Sequence, residues 1–222
     1  MKLSYKTLLF SVLVSVCIAV VPAHATLLGL DTLLQENPDL FSPNLTANLT
    51  VAFSDGVLTV TGATGLYTPP AGGDPLNVTD GGTPPFAGPG TFSLSALIST
   101  SGVLESGSLT ISGAIDDLTI PLGVLLSGDI TAFGYQASTS SESLDFDFLF
   151  AVTGGSLAAD YGPVGGTLMY GTSFNGSFTS DFTNDGNGLA DTRAIPEPSS
   201  VLLVVMSLLG LGFARRVALR KC

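Results

Sequence analysis

Lysine, histidine and cysteine are missing from most of this 222-residue chain, and tryptophan is missing from all of it. The seven basic residues sit at the ends: Lys2 and Lys6, then Arg193, Arg215, Arg216, Arg220 and Lys221. The one histidine is His24, and the two cysteines are Cys17 and Cys222. From Thr26 to Ala194 there are 17 acidic residues and a single basic one, Arg193, so this body carries −16 where the whole chain carries −11. Each absence excludes a chemistry. Without His or Cys the body has no Ser-His or Cys-His nucleophile pair and no zinc site of the usual Cys/His kind. Without Lys it has no Schiff base. One arginine cannot displace the counterions of a nucleic acid, so nucleic acid is not a partner. No catalytic residue and no cofactor is assigned; carboxylates, hydroxyls, amides and backbone are what remain.

What is present at the N-terminus has the layout of a secretory signal peptide over residues 1–25. Lys2 and Lys6 form a positive start, Thr7 to Val21 is an apolar run of 15 residues, and Pro22 breaks it. Ala23-His24-Ala25 is a small-x-small cleavage site, and cleavage after Ala25 removes both Cys17 and His24. The C-terminus carries a second signal. Pro196-Glu197-Pro198 and Ser199-Ser200 precede an apolar run from Val201 to Ala214, which Arg215 and Arg216 close. A helix over Ser199 to Ala214 would cover about 24 Å of a hydrocarbon core about 30 Å thick. Snorkelling arginines and local thinning make up that difference. The positive-inside rule puts the basic end in the cytoplasm and the acidic body outside, in agreement with the N-terminal signal.

This tail resembles the PEP-CTERM sorting signal of Gram-negative bacteria: a Pro-Glu-Pro motif, one short transmembrane helix and an Arg-rich end. The likeness covers Ile195 to Cys222. It implies an exosortase and the inner membrane as partners. It also implies anchoring with the C-terminus in the cytoplasm, then release to the cell surface or extracellular matrix. A structural or adhesive role at the envelope or in exopolysaccharide goes with the resemblance; an enzymatic activity of the body does not. Two prolines flanking Glu197 favour extended backbone, which suits a protease handle.

Apolar-polar alternation recurs from Asn44 to Phe182, which predicts an all-β body. Leu45 to Phe53 and Val57 to Thr61 flank the turn Ser54-Asp55-Gly56, a hairpin pattern. Thr91 to Thr100 and Ser108 to Ile115 form another pair. Leu118 to Leu126 and Ile130 to Ala137 form a third, turning at Ser127-Gly128-Asp129. Leu144 to Val152, Thr167 to Tyr170 and Phe174 to Phe182 complete the set. Many short strands with Gly-rich turns predict a β-sandwich or jelly-roll-like ectodomain, followed by a single C-terminal transmembrane helix. Tyr67 to Gly90, dense in proline and glycine, reads as a long loop. Thr26 to Asn37 is compatible with an amphipathic helix. The resulting division is 1–25 signal peptide, 26–184 ectodomain, 185–194 linker and 195–222 sorting signal.

Three features are candidates for chemistry. Asp145 and Asp147 share one strand face, roughly 7 Å apart, a spacing open to a glycosidase pair; the alternative is a solvated face of an acidic protein. Asp181, Asp185 and Asp191, with Gly186 among them, partly follow a calcium loop, but Thr192 stands where Glu is wanted. A diffuse attraction of calcium to the anionic surface is the broader form of that idea. Finally, Ser138 to Ser143 is a hydroxyl-rich stretch open to O-glycosylation. A carbohydrate-binding module would want exposed aromatics, and the body offers only Tyr67, Tyr135, Tyr161 and Tyr170 beside its phenylalanines.

Overall fold

The computed structural model describes residues 26–41, 49–82, 87–184 and 189–195. The chain opens on a 3-10 turn, Leu30–Thr32, and then β1 (Asp39–Phe41). There follow β2 (Thr50–Ser54), β3 (Val57–Thr64), β4 (Leu66–Thr68), β5 (Leu76–Asn77) and β6 (Gly90–Ile98). Two long strands come next, β7 (Leu104–Ile115) and β8 (Ile120–Tyr135), then β9 (Leu144–Gly154). A one-turn helix, α1 (Ala158–Tyr161), leads into β10 (Val164–Tyr170), β11 (Phe182–Thr183) and β12 (Leu189–Ala194).

The all-β expectation holds, but the two-sheet sandwich or jelly roll does not. All twelve strands form one sheet in the order β11-β2-β3-β6-β7-β8-β9-β10-β12-β1-β4-β5, curved into a half-barrel, and every pairing is antiparallel. The reason lies in β8. Ser127-Gly128-Asp129 is no turn: the strand runs straight through it, paired with β7 on one side and β9 on the other. A Cβ on Gly128 would collide with the Phe150 ring, so glycine stands there for close packing, not for a turn. Register shifts at Ser127/Gly128 and Ile130/Ala132 bend the strand instead of breaking it.

The curvature has an independent mark. β11 and β12 are eight places apart in the strand order, yet only residues 184–188 join them. Six residue steps reach at most about 20 Å, so the β11 edge must curl back towards β12. Phenylalanines fill the enclosed side. Phe133 stacks on Phe148 at 4.8 Å and on Phe146 at 5.9 Å. Phe178 meets Phe53 edge-on at 5.0 Å and Phe174 at 4.8 Å, tying β2 to the loop before β11. Burying each ring fully is worth roughly 1.5–3 kcal/mol.

Other local expectations change too. Thr26 to Asn37 makes only the 3-10 turn, because Gly29 sits at φ +73 and the segment is held by contacts to the sheet. Tyr67 to Gly90 is not simply a loop: β4 pairs with β1, β5 with β4, and Thr79 bridges Ala114. Phe174 to Phe182 is irregular until β11, its rings turned into the core. Residues 189–194 are not part of a linker, since β12 lies between β10 and β1 inside the sheet. Among the described residues no helix is long and apolar enough to cross a membrane. The apolar run from Val201 to Ala214 lies outside them, as does the signal-peptide region.

Candidate functional site

The strands β9, β10, β12 and β1 gather most of the chemistry that the sequence singled out. On β9, alternation sends Phe146, Phe148 and Phe150 inward, so Asp145 and Asp147 take the opposite face. That face is not solvated. Both aspartates are fully buried. Asp145 accepts hydrogen bonds from Ser138 Oγ (2.5 Å), Ser143 Oγ (2.6 Å), Thr172 N (2.6 Å) and Thr172 Oγ1 (2.9 Å). It fastens the 138–143 loop to the chain after β10 and has no lone pair directed at an open surface.

Asp147 lies under the N-terminal segment. Leu30 N donates to its Oδ2 at 3.4 Å, while Oδ1 has no partner among the described residues. Burial raises its pKa, and the N–H groups of Leu28, Leu30 and Gly29 pull the other way. Two glycines let this segment lie close: a Cβ on Gly134 would strike Asp147 and Leu28, and one on Gly166 would strike Leu34 and Leu30. Thus the pair that the spacing offered to a glycosidase is spent on internal contacts, one holding a loop and the other beneath a strap. Nothing in the sequence marked the strap except its leucines.

Beside it lies a charged triplet. Asp39 on β1 stands opposite Arg193 on β12, and Asp191 is two residues before Arg193 on the same strand. The guanidinium takes Asp191 in two contacts, Nε to Oδ1 at 3.0 Å and Nη2 to Oδ2 at 2.7 Å. Asp39 is left at 3.8 Å from Nε, with a buried Oδ1 that has no partner among the described residues. Burial, and then the Asp191 carboxylate beside it, push the Asp39 pKa up to about 8, against the pull of Arg193. The body's one cation is therefore structural: it joins the last strand to the first.

Of the calcium candidates, Asp181 and Asp191 have separate partners. Asp181 accepts a hydrogen bond from Ser54 Oγ at 3.1 Å at the β11 edge, while Asp191 is inside the sheet with Arg193. Asp185 lies outside the described residues. Among the described residues no cluster of three or more His, Cys, Asp or Glu side chains is placed to hold a metal. Tyr67 and Tyr161 are buried, and their hydroxyls donate to Asp160 Oδ2 (2.6 Å) and to the Thr192 carbonyl (2.8 Å). Ser138, Ser140, Ser141, Ser173 and Asn175 rim an open pocket of about 450 Å³ over Phe174.

β12 is the last of the described strands. Ala194 O accepts from Gln35 N at 3.0 Å, and Ile195 N donates to Val164 O at 3.2 Å. Ile195 is the last described residue; Pro196, Glu197, Pro198, Arg215 and Arg216 lie beyond it, and Ala23 and Ala25 lie before the first. The Pro-Glu-Pro motif thus begins one residue past the last described strand. No family model, curated protein or solved structure matches this chain.

Proposed function

We propose that this chain is an exported, acidic protein of the cell surface or extracellular matrix, sorted by an exosortase and structural or adhesive in role. One observation carries the reading: basic residues occur at the two ends, arranged as an export signal and as a Pro-Glu-Pro, apolar-run, Arg-pair tail, and the body between has one. The body supports it in a second way. Its single cation is engaged within the sheet, so the outward surface is anionic. The protein is held at the inner membrane by Val201 to Ala214 with the C-terminus in the cytoplasm, then released near Pro196-Glu197-Pro198 to the envelope or to exopolysaccharide.

The alternative is an envelope glycoside-acting enzyme or a carbohydrate-binding module with stacking aromatics. The first needs Asp145 or Asp147 at a surface, and both are buried; the second needs exposed rings, and Tyr67 and Tyr161 are buried while Tyr135 and Tyr170 are half-buried. Intact mass of the protein recovered from its native host tests the proposal. It predicts an N-terminus at Thr26 and loss of mass beyond about Pro198. A chain that still ends at Cys222 rejects the processing.

A further inference from the structure

The segment from Thr26 to Gln35 is fastened at its far end and loose at its start. Gln35 N donates to the Ala194 carbonyl, and Leu30 N donates to Asp147 Oδ2 at 3.4 Å. Leu30 and Leu34 settle over Gly166, where a Cβ would strike both. Thr26 is exposed and makes no hydrogen bond among the described residues. Beneath this loose end is the buried Asp147 Oδ1, which also has no partner among the described residues. A Cβ on Gly134 would collide with that oxygen and would meet Leu28 N at 2.6 Å and Leu27 Cα at 2.8 Å. Leu27 Cα therefore lies within about 5 Å of Oδ1, and the Thr26 nitrogen is about one residue step of 3.8 Å further back along the chain. Turning the first residue alone brings that nitrogen to ion-pair distance.

An unpaired carboxylate oxygen in a dry site calls for a cation or a proton. Burial favours the protonated form, and so does Asp31, a second carboxylate on the same segment. The N–H groups of Leu28, Leu30 and Gly29 favour the ionised form. A positive charge would decide the balance, and the body has none to spare. Its one side-chain cation, Arg193, is engaged by Asp191, and lysine and histidine are absent from Thr26 to Ala194. Cleavage after Ala25 makes one. While Ala25 is attached, the Thr26 nitrogen is a neutral amide. Once that bond is hydrolysed, it is an α-ammonium below about pH 8.

We propose that Asp147 is the docking site for the α-ammonium that signal cleavage creates at Thr26, so that processing itself locks the N-terminal strap onto the sheet. The uncleaved precursor lacks this latch, and the cleaved chain gains it. The strap is then held at both ends, with Asp147 shared between the ammonium at Oδ1 and Leu30 N at Oδ2. Gly134 forms the floor of the site, since a side chain there would fill it. The inference rests on the export reading only for the position of the cut; the Pro-Glu-Pro tail plays no part in it.

The test uses the chain from Thr26 to Cys222 in mild detergent, freed from a cleavable fusion whose protease leaves Thr26 first. Lys221→Arg removes the only other amine of that chain, so acetic anhydride modifies the α-amine alone. Acetylation should lower the thermal midpoint at about pH 6.5 by at least about 3 °C. In Asp147→Asn the same acetylation should move it by less than about 1 °C. The α-amine, followed by NMR after isotopic methylation, should titrate at least about one unit above its usual value near 8, and Asp147→Asn should bring it back. A pair of this sign stabilises fully below about pH 8 and is lost as pH rises through the raised value. Equal effects of acetylation in the two proteins, no effect in either, or an α-amine that titrates near its usual value overturns the latch. Should Asp147→Asn not fold, the titration of the parent chain decides by itself. An N-terminus other than Thr26 in protein from the native host rejects the export cut, a failure separate from that of the latch.

Discussion

The two halves of this one sheet treat their outer faces in opposite ways. From β2 to β8 the inner face is apolar and the outer face meets water, with serines and threonines beside exposed Leu97, Leu122 and Val124; β6 alternates buried and exposed over its whole length. From β9 to β1 both faces are covered, and four successive β9 positions, Asp145 to Phe148, are buried. The difference comes from what lies on top. The first half meets that cover at the end of β8, where Leu27 and Leu28 lie against Gly134, whereas the second lies under the segment from Leu27 to Leu34 and the 138–143 loop. Polar residues in the first half need no partner because water serves. Those in the second need donors, and Ser138, Ser143, Thr172 and the backbone of Leu30 provide them. The same alternating pattern therefore encodes a free surface in one place and a buried polar layer in the other.

The strongest way to break this comparison is through the core that both halves share. Phe148 is fully buried and stacks on Phe133. Phe148→Ala should cost about 3–5 kcal/mol, measured by urea unfolding, and should loosen both halves together in hydrogen exchange. Loss of protection confined to β9 and β10 would mean that the sheet does not unfold as a unit.

Next in size is removal of the cover. Gly134→Ala pushes a methyl group into Asp147 and Leu28, an overpacking worth about 1–3 kcal/mol. Its specific mark should be faster proteolysis between Leu27 and Leu34, since that segment has least to hold it once lifted. An unchanged cleavage rate there, with the protein still folded, would show that the strap does not depend on Gly134.

Alternation made the first half legible from sequence. Thr59-Val60-Thr61 and Ser93-Leu94-Ser95 state which side is wet. Asp145 and Asp147 obey the same alternation, but the pattern does not say whether an outer face stays bare. That depends on Leu30, which is 117 positions from Asp147 and meets it only in the folded chain. β12 was hidden for a similar reason. Asp191-Thr192-Arg193 looks like polar linker, and it becomes an internal strand because Asp39 and Thr167 stand opposite to pair with it. Gly128, read as a turn, is a space left for Phe150. The Pro-Glu-Pro motif follows directly after Ile195, the last described residue.

Acidity tests the buried half alone. Folding raises the Asp39 pKa from 3.8 to about 8, so the folded state holds a proton that the unfolded state gives up. Its contribution to stability is fully present below about pH 4 and is lost as pH rises through about 8. Asp147 is shifted in the same direction. The thermal midpoint should fall between pH 5 and 9 at fixed salt, and Asp39→Asn should flatten that fall by removing one titrating group. Equal slopes for the two proteins would show that Asp39 is ionised throughout and that general repulsion within the −16 body accounts for the trend.

The smallest effect comes from making one substitution in both halves. Thr61 faces water, and its hydroxyl has no partner among the described residues; Thr167 is fully buried, and its Oγ1 lies 3.0 Å from Thr192 Oγ1. Valine has nearly the shape of threonine and an equal liking for strands. Thr61→Val should therefore change stability by no more than about 0.5 kcal/mol. Thr167→Val breaks a buried pair and strands the Thr192 hydroxyl, at about 1–3 kcal/mol. Matching values by chemical denaturation would mean that the Thr192 hydroxyl finds another acceptor in the β10-β12 layer, and that this half is less tightly matched than its hydrogen bonds suggest. A larger loss at Thr61 than at Thr167 would reverse the assignment of wet and dry faces altogether.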